Sequence, residues 1–499
     1  MPSTEPQQFI LLPPRGLTAD SIVPSTPAVR SFFSTLSTAL GTGSRSATLG
    51  AGRLRSRIRV LDSIQDQGAK LVELSPDEVS ALRAAQPGVR VVPVVYYRTA
   101  EAPRPAIRGA STRGAASSSS RLSLRVVSSQ GGAPVPRAEV VAFTDYENGL
   151  GAQGTTNTQG VVHLALGAAR KKVQRLYVYS EGGYWNLLRK GVTLTSGGVL
   201  RMRPIDLKFT DSVRHFYGTA PLDTGVGVKV GVIDTGVGPH PDLMVEGGVN
   251  TVTGENPADF TDNGDGHGTH VAGIIGARGT FPTGVRGVAP GVTLRSYRVF
   301  GRNADGASNF AIAKAIDRAV RDGCDLINMS LGGGDPDEAT HSAMASARAQ
   351  GVVLLAANGN DGRQPVSSPA ADSLALAVSA LGRKGTYPPS VTQAAEAVRP
   401  WGRDRNDFIA AFSNVGPETD LTGPGVGVIS TYPGGYAVLD GTSMACPAAT
   451  GAAARQLAAS PDLLALPRDQ ARSDAIVAAI LQAARPLGFG GVLEGRGLL

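Results

Sequence analysis

The chain has 499 residues, 41% hydrophobic and 18% charged, enough apolar content for several cores and too much for a disordered chain. No run approaches the ~18 uninterrupted apolar residues of a membrane-spanning helix. The 48 Lys and Arg exceed the 41 Asp and Glu for a net charge of +7, but they form no basic stripe interleaved with aromatics, so nucleic acid is not expected as a partner. Two cysteines, Cys324 and Cys446, exclude a disulfide framework. The opening MPSTEPQQFILLPPRG lacks a basic n-region, so no secretory signal is expected; the compartment stays open, with the cytoplasm favoured over export by another route.

Residues 1–98 read as β-α-β-β-α-β. Strands are expected at Gln8–Leu12, Arg57–Ile64 and Ala69–Leu74, a helix at Pro27–Leu40, and a β-rich run at Val89–Tyr97. The second helix has the clearest start: Ser75 as N-cap, Pro76 at the first helical position and Glu78 three after the cap form a capping box, and Pro87-Gly88 ends it. This order predicts a ferredoxin-like α+β domain. Residues 99–120, rich in Pro, Gly and Ser, predict a flexible linker. Residues 121–205 carry short alternating runs (Leu122/Leu124/Val126, Val140–Phe143, Val161–Leu166, Leu176–Tyr179, Val192–Leu194, Leu200–Met202) separated by Gly- and Asn-rich turns, which predict a small antiparallel β-sandwich with no chemistry of its own. From 206 to 499 strands alternate with helices, as in an α/β domain whose parallel sheet is covered on both faces.

Three segments of this last region could carry chemistry. VGVIDTG places Asp234 at the end of a buried strand, DGHGTHVAG places His267 at a helix start, and GTSMACPAA places Ser443 at a turn opening another helix. Strand ends and helix starts on one edge of an α/β sheet are where such folds build sites, and Asp, His and Ser there can act as orienter, base and nucleophile. Taken singly, each also has a structural reading as a cap or a packing residue.

Together, in the order Asp…His…Ser with their flanking glycines, the segments resemble the subtilisin-like serine protease family over roughly residues 225–499. The resemblance implies an endopeptidase working through an acyl-enzyme, with Asp234, His267 and Ser443 as the triad. In LLAANGNDG it makes Asn360 the oxyanion-hole amide, leaves Asn358 without a catalytic role, and puts Ala357 and Gly359 in the substrate-binding set. Ser330, Leu331 and Gly332 become one edge of the peptide-binding cleft and Gly306, Ala307 and Ser308 the other, with Phe310 walling a more distant apolar subsite. An extended peptide would lie between the edges as an added strand.

The same resemblance makes residues 1–98 an inhibitory propeptide, so the partners expected are peptide or protein substrates and the chain's own N-terminal domain. No cofactor is required. Asp242 leaves room for a structural calcium ion, but the loop GTFPTG at 279–284 argues against one, and no metal ligand is assigned. Roughly Arg383–Phe408 reads as an insertion near the leaving-group side, and Cys446 as a buried thiol. Two other classes stay open: a catalytically silent peptide-binding scaffold, and a nucleotide-binding α/β protein whose dinucleotide fingerprint is incomplete at GVIDTGVG.

Overall fold

A computed structural model describes residues 5–19, 25–41, 46–49, 56–108 and 121–499. The first elements are β1 (Gln7–Leu12), α1 (Pro27–Gly41), β2 (Ser46–Leu49), β3 (Ser56–Ser63), β4 (Lys70–Leu74), α2 (Pro76–Ala85) and β5 (Arg90–Pro93). They form one sheet in the order β2-β3-β4-β1-β5, with every neighbouring pair antiparallel. β2, an edge strand, was not anticipated: four residues of sequence SATL carry too little periodicity to register. The capping box of α2 is present in both directions between Ser75 and Glu78.

The central strands β1 and β4 are buried on both faces over most of their length, and the period of a strand decides which side chain goes where. Leu11 and Val72 face α1 and α2 in a cluster with Phe32, Phe33 and Leu82. Their neighbours Ile10, Leu12 and Leu71 turn the other way, into a cluster with Phe310, Ile316 and Ala343 of the C-terminal region. A strand reading FILL without alternation needs this second layer, and here other parts of the chain supply it.

Residues 99–108 correct the linker expectation. β6 (Tyr96–Thr99) and the chain after it are hydrogen-bonded across the C-terminal domain, and Tyr97 is fully buried. Composition missed this because an extended segment is held by its main chain, which carries no compositional signal. Residues 109–120 lie outside the described residues.

The middle region holds β7 (Leu122–Ser128), β8 (Glu139–Asp145), β9 (Leu150–Thr155), β10 (Val161–Leu164), β11 (Arg170–Tyr179), β12 (Leu187–Thr195) and β13 (Gly198–Met202). Two sheets, β10-β7-β13 and β12-β11-β8-β9, share one apolar cluster that includes Leu124, Val126, Leu176 and Met202. The pairing is not wholly antiparallel, because β13 runs parallel to β7. β9 was not anticipated: its sequence LGAQGT offers only Ala152 to the core.

The C-terminal domain begins with α3 (Ser212–Tyr217), β14 (Lys229–Asp234), β15 (Val245–Asn250), α4 (His267–Gly276), β16 (Thr293–Arg298), β17 (Ala307–Ser308) and α5 (Asn309–Arg321). It continues with β18 (Leu326–Met329), β19 (Leu331–Gly332), α6 (Glu338–Ala349), β20 (Val353–Ala357), β21 (Ala375–Arg383), β22 (Asp407–Ile409), β23 (Thr419–Pro424), β24 (Val428–Tyr432), β25 (Gly435–Leu439) and α7 (Thr442–Ala458). The main sheet runs β15-β16-β14-β18-β20-β21, with β23 also parallel to β21. It is mixed rather than all parallel, because β22 joins β21 antiparallel. β22 returns from the connection 384–406 without an α-helical crossover, and so runs back along its neighbour. Among the described residues no helix is long and apolar enough to cross a membrane.

Candidate active site

The site lies at the carboxyl ends of adjacent parallel strands. Asp234 is the last residue of β14, and the register Ile233↔Met329 brings Ser330, just after β18, beside it. Asp234 Oδ1 accepts from His267 Nδ1 at 2.7 Å and from the Thr235 amide at 2.7 Å, with both Asp234 and His267 buried. His267 begins α4 behind Gly266, whose φ of +89° suits only glycine, and Asp262 accepts from the Gly264 and Gly266 amides to hold that turn. Burial alone would lower the imidazole pKa, but the charge and hydrogen bond of Asp234 prevail, with Glu101 and Asp265 adding to them, and raise it to about 9. Nε2 is buried, with no hydrogen-bond partner among the described residues.

Ser443 stands in the first turn of α7. Pro447 inside this helix has no N–H, which leaves the Ser443 carbonyl without its i+4 partner. Ser330 Oγ donates to that carbonyl at 2.9 Å, and Ser443 Oγ donates to the Ser330 carbonyl at 3.0 Å. The serine hydroxyl is thus parked on Ser330 and not on His267.

A segment of the same chain occupies the cleft. β6 pairs antiparallel with β17 on one side (Ala307↔Tyr97, Ser308↔Tyr96) and with β19 on the other (Leu331↔Thr99, Gly332↔Arg98). The Ala100 amide donates to the Ser330 carbonyl at 3.1 Å, and the Ala100 carbonyl accepts from the Ser443 amide at 3.0 Å and from Asn360 Nδ2. Asn360 is oriented from behind: its Oδ1 accepts from the Thr442 amide at 2.9 Å and the Thr442 hydroxyl at 3.0 Å. Gly359, at φ +102°, turns the chain there against Asn414 and Ser367. Asn358 points elsewhere, donating to the Asn414 carbonyl and to Thr419 Oγ1 at 2.9 Å.

Residues 225–498 match the model of the subtilase family. Subtilisin BL of Lederbergia lenta is 42% identical over 232 residues, 46% of this chain and 76% of the relative. Subtilisin DY of Bacillus licheniformis is 40% identical over 247 residues, 48% of this chain and 80% of the relative, and an alkaline protease of Shouchella clausii is 42% identical over 46% of this chain and 54% of its own length. The chain belongs to the subtilase family. It is accordingly a serine-type endopeptidase of the subtilisin-like kind.

Other expected residues of this subtilase are distributed as follows. Gly306 lies against the β6 backbone, where a Cβ would meet the Tyr97 carbonyl at 3.0 Å. Phe310 is fully buried in the cluster that also holds Tyr97, the residue three before Ala100 on the strand that lies in the cleft. Ala357 ends β20 in the core. Cys446 is fully buried, and burial pushes its thiol up, so no thiolate sits beside the serine. The loop 279–284 does not fit a calcium ion. Asp242 Oδ2 is already taken by the Val285 amide at 2.8 Å and the Tyr436 hydroxyl at 3.0 Å, and among the described residues no three His, Cys, Asp or Glu side chains cluster as ligands.

Two features escaped the sequence reading. Thr442, inside the quoted GTS motif, holds Asn360. Asp440 follows β25, its carbonyl accepts from the Ala102 amide at 2.8 Å, and Gln393 of the insertion donates to its carboxylate at 2.7 Å. Only the spacing Asp-Gly-Thr-Ser could have signalled Asp440.

Proposed function

We propose that this subtilase hydrolyses peptide bonds through Asp234, His267 and Ser443, and that its N-terminal domain is an intramolecular inhibitor released by cleavage of the Ala100–Glu101 bond. The observation that carries this reading is the Ala100 carbonyl between the Ser443 amide and Asn360 Nδ2, the two donors an acyl-transfer oxyanion needs. The position of Ser443 at the start of the 17-residue helix α7 adds a favourable dipole. For reaction, Ser443 Oγ leaves Ser330 and turns to the free Nε2 of His267, which takes its proton as Oγ attacks the Ala100 carbonyl carbon. His267 passes that proton to the Glu101 nitrogen as the C–N bond breaks, and water repeats the attack on the acyl-enzyme. Asp234 holds the imidazole tautomer and stabilises imidazolium.

The strand order β3-β4-β1-β5 with two helices on one face supports the ferredoxin-like reading of the N-terminal domain, and the two sheets over one cluster support the β-sandwich reading of the middle domain. No calcium requirement is part of the proposal, because Asp242 Oδ2 already accepts from the Val285 amide and the Tyr436 hydroxyl. The presence of every triad and oxyanion residue disfavours a silent scaffold.

The test is intact mass of purified protein. Wild type should yield fragments meeting at Ala100/Glu101, and Ser443→Ala should remain one uncut chain with no peptidase activity. Cleavage that survives Ser443→Ala overturns the assignment.

A further inference from the structure

The segment after Ala100 crosses onto the middle domain. Past the Ala102–Asp440 bond, the Arg104 guanidinium stacks over the Tyr179 ring at 5.0 Å. Tyr179 is itself held by Tyr177, stacked at 5.9 Å with 5° between the planes. Ile107 packs into the apolar cluster of Val141, Phe143 and Tyr177. The Ile107 amide donates to Gln153 Oε1 at 3.1 Å and the Arg108 amide to the Gly149 carbonyl at 3.0 Å. Pro103 and Pro105 keep the intervening chain extended.

This track is assembled from two domains locked together. The Leu188 amide donates to the Ser390 carbonyl and the Thr392 amide to the Asn186 carbonyl, both at 3.1 Å, so the 383–408 insertion pins β12 to the catalytic domain. Beside Arg104 lies the buried carboxyl of Asp440, which burial pushes up to about 6 while Arg104 pulls it back. The recognition elements are generic: main-chain bonds at positions 102, 107 and 108, an aromatic face for a cation, and an apolar recess.

Resting on the cleavage site proposed above, we infer that the middle domain forms the far half of the substrate cleft and reads an extended peptide on the leaving-group side, preferring a cationic side chain at the fourth residue after the scissile bond and an aliphatic one at the seventh. Residues 101–108 are the first occupant of this surface, and substrate peptides of the same chemistry follow them.

The test compares two internally quenched peptides, one with the sequence of residues 95–108 and one cut back after Pro103. The processed enzyme should carry Arg104→Glu and Ile107→Ser, so that its own tethered segment competes weakly. The longer peptide should be cut with a kcat/KM about tenfold higher, and Glu at the Arg104 position or Ser at the Ile107 position of that peptide should remove most of the gain. Adding Tyr179→Leu to the enzyme should bring the long-to-short ratio toward one, with thermal melting checking that the domain remains folded. Equal kcat/KM for the two peptides, or a ratio that Tyr179→Leu leaves unchanged, overturns the inference and leaves the triad assignment standing. If neither peptide is cut at the Ala–Glu bond, the cleavage-site reading fails and the inference falls with it.

Discussion

The two domains that precede the catalytic domain are attached to it in opposite ways. The N-terminal domain keeps one face of its sheet for its own helices and gives the other to α5 and α6. The middle domain closes its core internally and meets its neighbour through Trp185 and the backbone of the insertion. A domain that borrows half its core is stabilised by docking and loses that stabilisation when it leaves; one with a core of its own can remain as a permanent wall. Ion pairs at the first interface, such as Lys314 with Asp62 at 2.7 Å, set its register more than its strength.

The middle domain depends most on Trp185, which is 1% exposed between Val391 and Val438. Trp185→Ala should cost about 3–5 kcal/mol in denaturant unfolding and separate the middle-domain transition from that of the catalytic domain. A loss below about 1 kcal/mol would move the lock elsewhere. Next in size, Asn360→Ala should slow release of the N-terminal domain about 10²–10³-fold, as the loss of one such donor does in subtilisin, while Asn358→Ala should act on stability. Time courses of fragment formation distinguish the two.

A smaller effect sharpens the docking side. Asp62→Asn should weaken inhibition in trans by residues 1–100 roughly fivefold, about 1 kcal/mol, measured as an inhibition constant against the processed enzyme. The pH dependence comes next. His267 serves as base only when neutral, so self-cleavage should rise as pH climbs through its raised pKa. Glu101 is one of the charges raising it, so Glu101→Gln should move the acid limb of the self-cleavage profile to lower pH; a shift to higher pH would contradict the assigned electrostatics. Chelation should have the least effect, leaving the melting temperature in EDTA unchanged because Asp242 already has protein donors.

Much of the candidate site was legible because its parts are local. The turn at Gly266-His267, the Asn360 loop and the Ser443 helix start are each a few residues long and require particular residue types at adjacent positions. The capping box at Ser75 was legible for the same reason. Only the structure places Phe310 in one cluster with Tyr97 of the cleft strand, since an apolar residue next to a cleft edge has the same sequence signature whether it faces the cleft or the core beneath it. The short edge strands β2 and β9 were missed because SATL and LGAQGT carry too little apolar period to register.

By itself, the sequence determined the alternation of strands and helices in the C-terminal domain, the capping box at Ser75 and the three segments that carry Asp234, His267 and Ser443, all of which depend on neighbours within a turn or a strand. Only the tertiary structure decided what covers the second face of β1, which bond of the Pro- and Ala-rich stretch lies at Ser443, and which domain receives the residues after it. Those outcomes depend on main-chain hydrogen bonds between segments hundreds of residues apart, such as the Ser443 amide to the Ala100 carbonyl and the Ala100 amide to the Ser330 carbonyl. Backbone donors and acceptors are the same at every position, so the pairing is set by how the domains pack and leaves no mark in the residues paired.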